Sequence, residues 1–254
     1  MDVMTLAPPV REQALQVETT PLPASPRGNG AHLSLRAPIV YPESDGLPMS
    51  DNTKQFRYIV STQGGIDSLF AEDPNVFVAG DLLWYPVEGD NKTRIAPDTM
   101  VAFGRPKGDR GSYLQWREDN IAPQVVFEIL SPGNTAAEMT RKYQFYRRHG
   151  VEEYYLYDPD RGELSGWLRD GDDLVEIEQM EGWVSPRLGI RFSLVGTEMV
   201  IYRPDGDRFE TFVELQQRAK QESQRAEQER QRAERLMAQL RAMGVEPDVK
   251  IDHG

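Results

Sequence analysis

Glu128 stands alone among Val125, Val126, Phe127, Ile129 and Leu130. A run that is apolar on both faces reads as a buried central strand. An ionised carboxylate in such a strand needs a lysine, an arginine or a metal beside it. Arg141 and Lys142 are candidates for a buried salt bridge. Pro97-Asp98 lies inside a preceding strand-like run from Ile95 to Phe103. If the two strands pair, Asp98 and Glu128 approach across the ladder. Two close carboxylates repel, and a divalent cation relieves that repulsion. Singly, Asp98 reads as a strand-entry residue after proline. The pair is what points to chemistry. Lys142 falls in the helix that follows the Glu128 strand, where it can orient a water or offset developing negative charge; alone it reads as a solvated helix lysine.

Pro97-Asp98, then Glu128-Ile129-Leu130-Ser131-Pro132, then Lys142 with Tyr146, then Gly150-Val151-Glu152-Glu153-Tyr154 form an ordered series over about residues 37 to 205. This series resembles the Uma-type (Uma-two) restriction endonuclease family of the PD-(D/E)XK nuclease superfamily. The resemblance implies a restriction-endonuclease-like core: a mixed α/β domain with a central sheet flanked by helices. It also implies a magnesium-dependent (or manganese-dependent) endonuclease that hydrolyses DNA phosphodiester bonds. Carried over, Asp98 and Glu128 become metal ligands, joined by the backbone carbonyl of Ile129. The superfamily usually places its lysine two residues after the glutamate. Here that position is Leu130, and Lys142 resembles a lysine that has migrated to the helix. A first-helix acid is common in the superfamily; Asp51 is the candidate, with Asp81 second. Asp51 also reads as a helix N-cap.

Composition narrows the alternatives. The chain has 254 residues, no cysteine and three histidines, His32, His149 and His253. Disulfides and thiolate metal sites are excluded, and the histidines are too scattered for a zinc cluster. Any metal would be held by carboxylates, which suits hard cations. No run reaches the roughly 18 apolar residues of a spanning helix, and the N-terminus lacks the pattern of a secretory signal. The expected setting is cytoplasmic, without a membrane partner. The formal charge of −12 opposes a nucleic-acid partner unless local basic residues overcome it. Arg105, Lys107 and Arg110 in one loop, and Arg141, Arg147 and Arg148 beside Lys142, are the candidate DNA contacts.

Three regions follow from the pattern. Residues 1–36 are polar and proline-rich and read as a disordered arm. Residues 37–213 hold the globular domain. A helix capped by Ser50 or Asp51 carries Phe56, Ile59, Val60, Leu69 and Phe70 on its apolar side, weakened by Gly64 and Gly65. Residues 76–78 and 82–87 read as a strand pair or one long strand, and further strands are expected at 95–103, 125–130 and 153–157, with a helix over 136–148 stopped at Gly150. Residues 164–213 read as antiparallel hairpins appended to the core. The tail, 214–254, holds a helix that starts near Phe212 and runs to Met243 without Gly or Pro. Ala219, Ala226, Ala233 and Leu240 recur every seven residues, but Glu222 and Glu229 interrupt the complementary set. The tail is therefore either a solvated helix or a weak coiled coil that would make a homodimer. Against the nuclease stand two other readings: a catalytically silent nuclease fold that binds nucleic acid or protein, and an interaction protein working through the tail.

Overall fold

The computed structural model describes residues 39–46 and 48–244. The expected N-terminal arm lies outside the described residues. The elements in chain order are α1 (Thr53–Leu69), β1 (Val76–Ala79), β2 (Trp84–Tyr85), β3 (Thr99–Phe103), β4 (Tyr113–Leu114), β5 (Val125–Ile129), α2 (Ala136–Arg148), β6 (Glu153–Asp158), β7 (Glu163–Asp170), β8 (Asp173–Glu176), β9 (Arg191–Val195), β10 (Glu198–Tyr202) and α3 (Phe212–Ala242). A short 3-10 turn covers Gln115–Arg117.

Six strands form one sheet in the order β1-β3-β5-β6-β7-β8. All neighbours are antiparallel except β5 and β6, which run parallel. A parallel pair requires a crossover connection, and α2 supplies it. Alternation along the strands then sorts the side chains into two layers. Val101, Val125, Phe127, Ile129, Tyr155 and Tyr157 join Tyr58, Ile59 and Ile66 of α1 and Phe192, Met199 and Ile201 of the β9–β10 hairpin. Met100, Ala102, Val126 and Tyr154 face the other way, with Tyr146 of α2 and Trp84. The two layers make this a mixed α/β domain with helices on either side of a central sheet. Among the described residues, no helix is long and apolar enough to cross a membrane.

Several expectations are corrected. Asn52, not Ser50 or Asp51, caps α1; its side chain accepts from the Gln55 N–H. The buried face of α1 is Gln55, Tyr58, Ile59, Thr62 and Ile66, while Phe56 and Val60 are exposed. The apolar residues had suggested one stripe, but the polar Gln55 and Thr62 complete the true one. The strand expected over 82–87 shrinks to β2, which pairs in parallel with β4 outside the main sheet. The strand expected from Ile95 begins at Thr99. Residues 164–176 are no appendage: β7 and β8 extend the central sheet, and only β9–β10 forms a separate hairpin. The helix over 136–148 is found as α2, followed by Gly150 at φ 91°, the left-handed stop that glycine adopts without penalty.

Candidate active site

β5 positions Glu128 by simple alternation. Val126 and Glu128 point to the α2 side, and Val125, Phe127 and Ile129 to the α1 side. Thr99 lies opposite Phe127 in the antiparallel ladder. Asp98, one residue before β3, therefore falls opposite Glu128, and it shares a face with Met100 and Ala102. Asp98 Oδ2 accepts the backbone N–H of Ile129 at 2.6 Å, which ties the aspartate to the end of β5. The sequence pairing of Asp98 with Glu128 is thus built by adjacent strands.

The parallel crossover carries α2 back over this face. Thr135 caps α2, its hydroxyl accepting from the Glu138 N–H at 3.2 Å. Lys142 then reaches inward, its Nζ 2.7 Å from Glu128 Oε2. Of the two cations considered for the buried ion pair, Lys142 takes it; Arg141, its neighbour, is exposed. One turn further along α2, the Tyr146 hydroxyl donates to Glu128 Oε1. Both oxygens of a glutamate that is only 2% exposed are satisfied, as a buried carboxylate requires.

The electrostatics follow from the crowding. Burial, then the neighbouring Glu128 carboxylate, hold the Asp98 carboxyl well above its usual range; Lys142 and the Ile129 N–H oppose this. Burial pulls the Lys142 ammonium down, but Glu128 and Asp98 outweigh it, and its pKa rises. Lys142 is therefore firmly protonated, a charge and hydrogen-bond donor and no base.

Asp98 and Lys142 open into a polar cavity of about 460 Å³. Asp45, Asp51, Asp81 and Glu138 also line it, with Arg94 as its second cation. Asp81 has a left-handed backbone, φ 49°, unusual for a residue with a side chain. Its N–H donates to the Pro97 carbonyl at 3.0 Å, beside Asp98. Burial, and then Asp45, raise its carboxyl. Asp51 reaches the same cavity from the turn before α1, and its carboxylate accepts the Ser131 hydroxyl. Gly133 makes that approach feasible: a Cβ there would lie 2.7 Å from Asp51 Oδ2.

Gln55 joins the site unannounced by any motif. Its amide donates to the Ile129 carbonyl at 2.8 Å, while its Oε1 accepts the Asp51 N–H at 2.8 Å. Its periodic place on the buried face of α1, four residues before Ile59, was the available signal. Gln55 therefore already uses one lone pair of the Ile129 carbonyl; a carbonyl oxygen has two. Tyr146 stood in the motif series beside Lys142 without a role of its own, although its spacing of four from Lys142 puts both on one face.

The donor set fits a hard divalent cation in kind. It is oxygen-only, acidic beyond its two cations, and contains a carboxylate pair in which burial, and then repulsion from Glu128, raise Asp98. It is sparse, since no group of three or more acidic or histidine side chains among the described residues is spaced to hold a metal. Asp98, Glu128 and the Ile129 carbonyl are the donors nearest to that role.

The loop cations expected to meet DNA are engaged elsewhere. Arg105 and Arg110 both bind Glu118, at 3.0 and 2.7 Å, and Arg110 stacks 3.9 Å over the Phe77 ring. Lys107 pairs with Asp67 and Arg147 with Asp173. Arg141 and Arg148 remain exposed on α2.

The sheet and its crossover helix thus bring together an acid from β5, the acid just before β3 and a lysine from α2. The chain belongs to the Uma2 family: the family model, described as "Putative restriction endonuclease", matches residues 63–195. That segment contains Asp81, Asp98, Glu128 and Lys142, while Asp51 and α3 lie outside it. Among solved structures, the chain is similar to one described as a "putative nuclease belonging to DUF820" from Anabaena variabilis. The identity is 19% over 53% of this chain and 72% of that one, with a TM-score of 0.40. No curated protein matches.

Proposed function

We propose that the protein is a divalent-metal-dependent endonuclease that hydrolyses phosphodiester bonds in DNA. The observation that carries this reading is the Lys142 ammonium, delivered from α2 to within 2.7 Å of the Glu128 carboxylate. The charge that Leu130 cannot provide is thereby present at the acidic pair.

In this reading Asp98 and Glu128 hold magnesium or manganese, with the Ile129 carbonyl as a further donor. Such a cation supplies positive charge at the phosphoryl oxygens and acidifies a water. The residues of the chain do the rest. The Ile129 N–H fixes Asp98, and Tyr146 fixes Glu128, so neither carboxylate must reorganise when charge develops. Lys142 donates to the attacking water or to a phosphate oxygen. Gln55 holds the end of β5 against the turn that carries Asp51. Asp51 and Asp81 line the approach as further acidic groups. Exposed Arg141 and Arg148 meet the DNA backbone, which gives affinity without sequence information.

A second reading has its own observation. Lys142 and Tyr146 already satisfy both oxygens of Glu128, the arrangement of a stable buried ion pair. A catalytically silent member of the fold, binding nucleic acid or protein through its helical tail, would look the same. Incubation of single- and double-stranded DNA with the protein and manganese, with Glu128→Ala as control, separates the two. Manganese-dependent cleavage lost in the variant supports the nuclease, and no cleavage by the parent on either substrate supports the silent form.

A further inference from the structure

Two apolar features have no partner among the described residues. One is a groove of about 750 Å³ between the outer side of α1 and the foot of α3, lined by Phe56, Val60, Phe209, Phe212 and Leu215 among others. The other is α3 itself. It has 31 residues, none of them buried, and spans about 46 Å at 1.5 Å per residue. A helix of this kind gains stability by covering an apolar stripe against something else.

The seam of α3 says what that partner is. One set of seam positions holds Phe212, Ala219, Ala226, Ala233 and Leu240, and the other Leu215, Glu222, Glu229, Leu236 and Met243. Two copies aligned in parallel would set Glu222 and Glu229 against their own counterparts, an unfavourable like-charge contact at a seam. An antiparallel alignment removes this. Leu215 then meets the partner's Leu240, and Ala219 meets the partner's Leu236. Glu222 meets the partner's Ala233, and Ala226 meets the partner's Glu229. Each glutamate faces a small alanine and keeps Arg218, Arg225 or Arg232 within three or four residues on its own helix. Both ends of the seam are apolar. The same register carries the partner's Met243 to Phe212, where the groove opens. Leu236 and Met243 are 51% and 69% exposed and Phe212 is 69% exposed, so one alignment covers the unpartnered apolar residues at both ends of the helix.

We propose that the chain forms a homodimer by antiparallel pairing of α3, and that the groove at the foot of each α3 takes the C-terminal turn of the partner's helix. This rests on α3 and the groove and is independent of the catalytic reading.

Light scattering on the full chain should give twice the 28.9 kDa chain mass. Leu240→Glu combined with Met243→Glu should return it to the monomer mass, and Phe56→Glu, outside α3, should weaken association at least tenfold. Near-UV circular dichroism should show the fold kept in all of them, since none of these side chains is buried. Orientation is read by cross-linking, because the chain has no cysteine of its own. Ala219→Cys and Leu236→Cys chains, mixed and oxidised, should link to each other, and neither should link alone. A monomeric parent, a dimer that survives Leu240→Glu with Met243→Glu, or linking by Ala219→Cys alone would each overturn the proposal. A dimer indifferent to Phe56→Glu would overturn the part played by the groove.

Discussion

Lys142 and Glu128 are fourteen residues apart in sequence and 2.7 Å apart at their charged atoms. The parallel β5–α2–β6 crossover creates this proximity: it folds α2 back over the face of the sheet on which Glu128 points. Tyr146 completes the arrangement from the same helix face. The ion pair, the family membership and the nuclease reading meet at this contact.

The Tyr146 hydroxyl can be removed without disturbing the rest of that arrangement. Tyr146→Phe keeps the ring in its layer but leaves a buried carboxylate oxygen without its donor. Urea denaturation should show a loss of about 1–3 kcal/mol. A loss near zero would mean that water reaches Glu128 and takes over the hydrogen bond.

Gly64 and Gly65 sit side by side in α1 but face different surroundings. A Cβ at Gly64 meets nothing within 4 Å, whereas one at Gly65 would lie 2.2 Å from the Phe209 ring. Gly64→Ala should stabilise the protein by about 0.5–1 kcal/mol through helix propensity. Gly65→Ala should destabilise it by about 1–3 kcal/mol through overpacking. Thermal melts of the two variants should shift in opposite directions.

These predictions mark what was legible in the sequence. The buried strand with its lone glutamate, the bounds of α2 and the long tail helix follow from local pattern alone, because each has a strong and uninterrupted period. The approach of Asp98 to Glu128 followed because β3, which Asp98 directly precedes, pairs with β5 in the sheet. What escaped depended on polar residues serving as core. Gln55 and Thr62 occupy the buried face of α1, so a search for apolar residues rotated that face toward Phe56 and Val60. The place of β7 and β8 in the main sheet also escaped, since strand order depends on long-range pairing that a hairpin pattern does not encode. The loop arginines looked available for DNA because their partner, Glu118, becomes a neighbour only once the 3-10 turn has formed.

Arg105 and Arg110 should accordingly behave as structural cations. Alanine at either should lower stability by removing one of the two cations that hold Glu118, which is nearly buried, and, in the proposed nuclease, leave the salt dependence of DNA binding unchanged. Arg141→Ala and Arg148→Ala should each reduce the slope of log affinity against log salt by about 1. Fluorescence anisotropy across a salt series reads both effects. A reduced slope for Arg110→Ala would return the loop to the DNA interface.

Glu153 gives the fold a pH dependence away from the site. It is buried, and accepts from the Tyr155 and Ser185 hydroxyls and the Arg187 N–H. Burial raises its carboxyl above 4.5, and these three donors only partly offset that. A raised folded pKa means that the native state binds the proton more tightly than the unfolded chain. This carboxyl's contribution to stability is therefore fully present below its unfolded pKa and lost as pH rises through the folded value. Glu153→Gln should flatten stability against pH from about 4.5 upward, as followed by denaturant midpoints. An unchanged profile would assign the dependence to another group.

In the proposed nuclease, Lys142 supplies the charge that Leu130 cannot. The most direct measurement is manganese-dependent cleavage of DNA by the parent, Lys142→Ala and Glu128→Ala, with manganese affinity measured in parallel by calorimetry. Lys142→Ala should lose cleavage by at least a hundredfold, on the order expected for removing one preorganised donor, while binding manganese as tightly as the parent or more so. Glu128→Ala should lose both. Cleavage by Lys142→Ala at the parent's rate would contradict the account and leave Lys142 as no more than the partner of a buried glutamate.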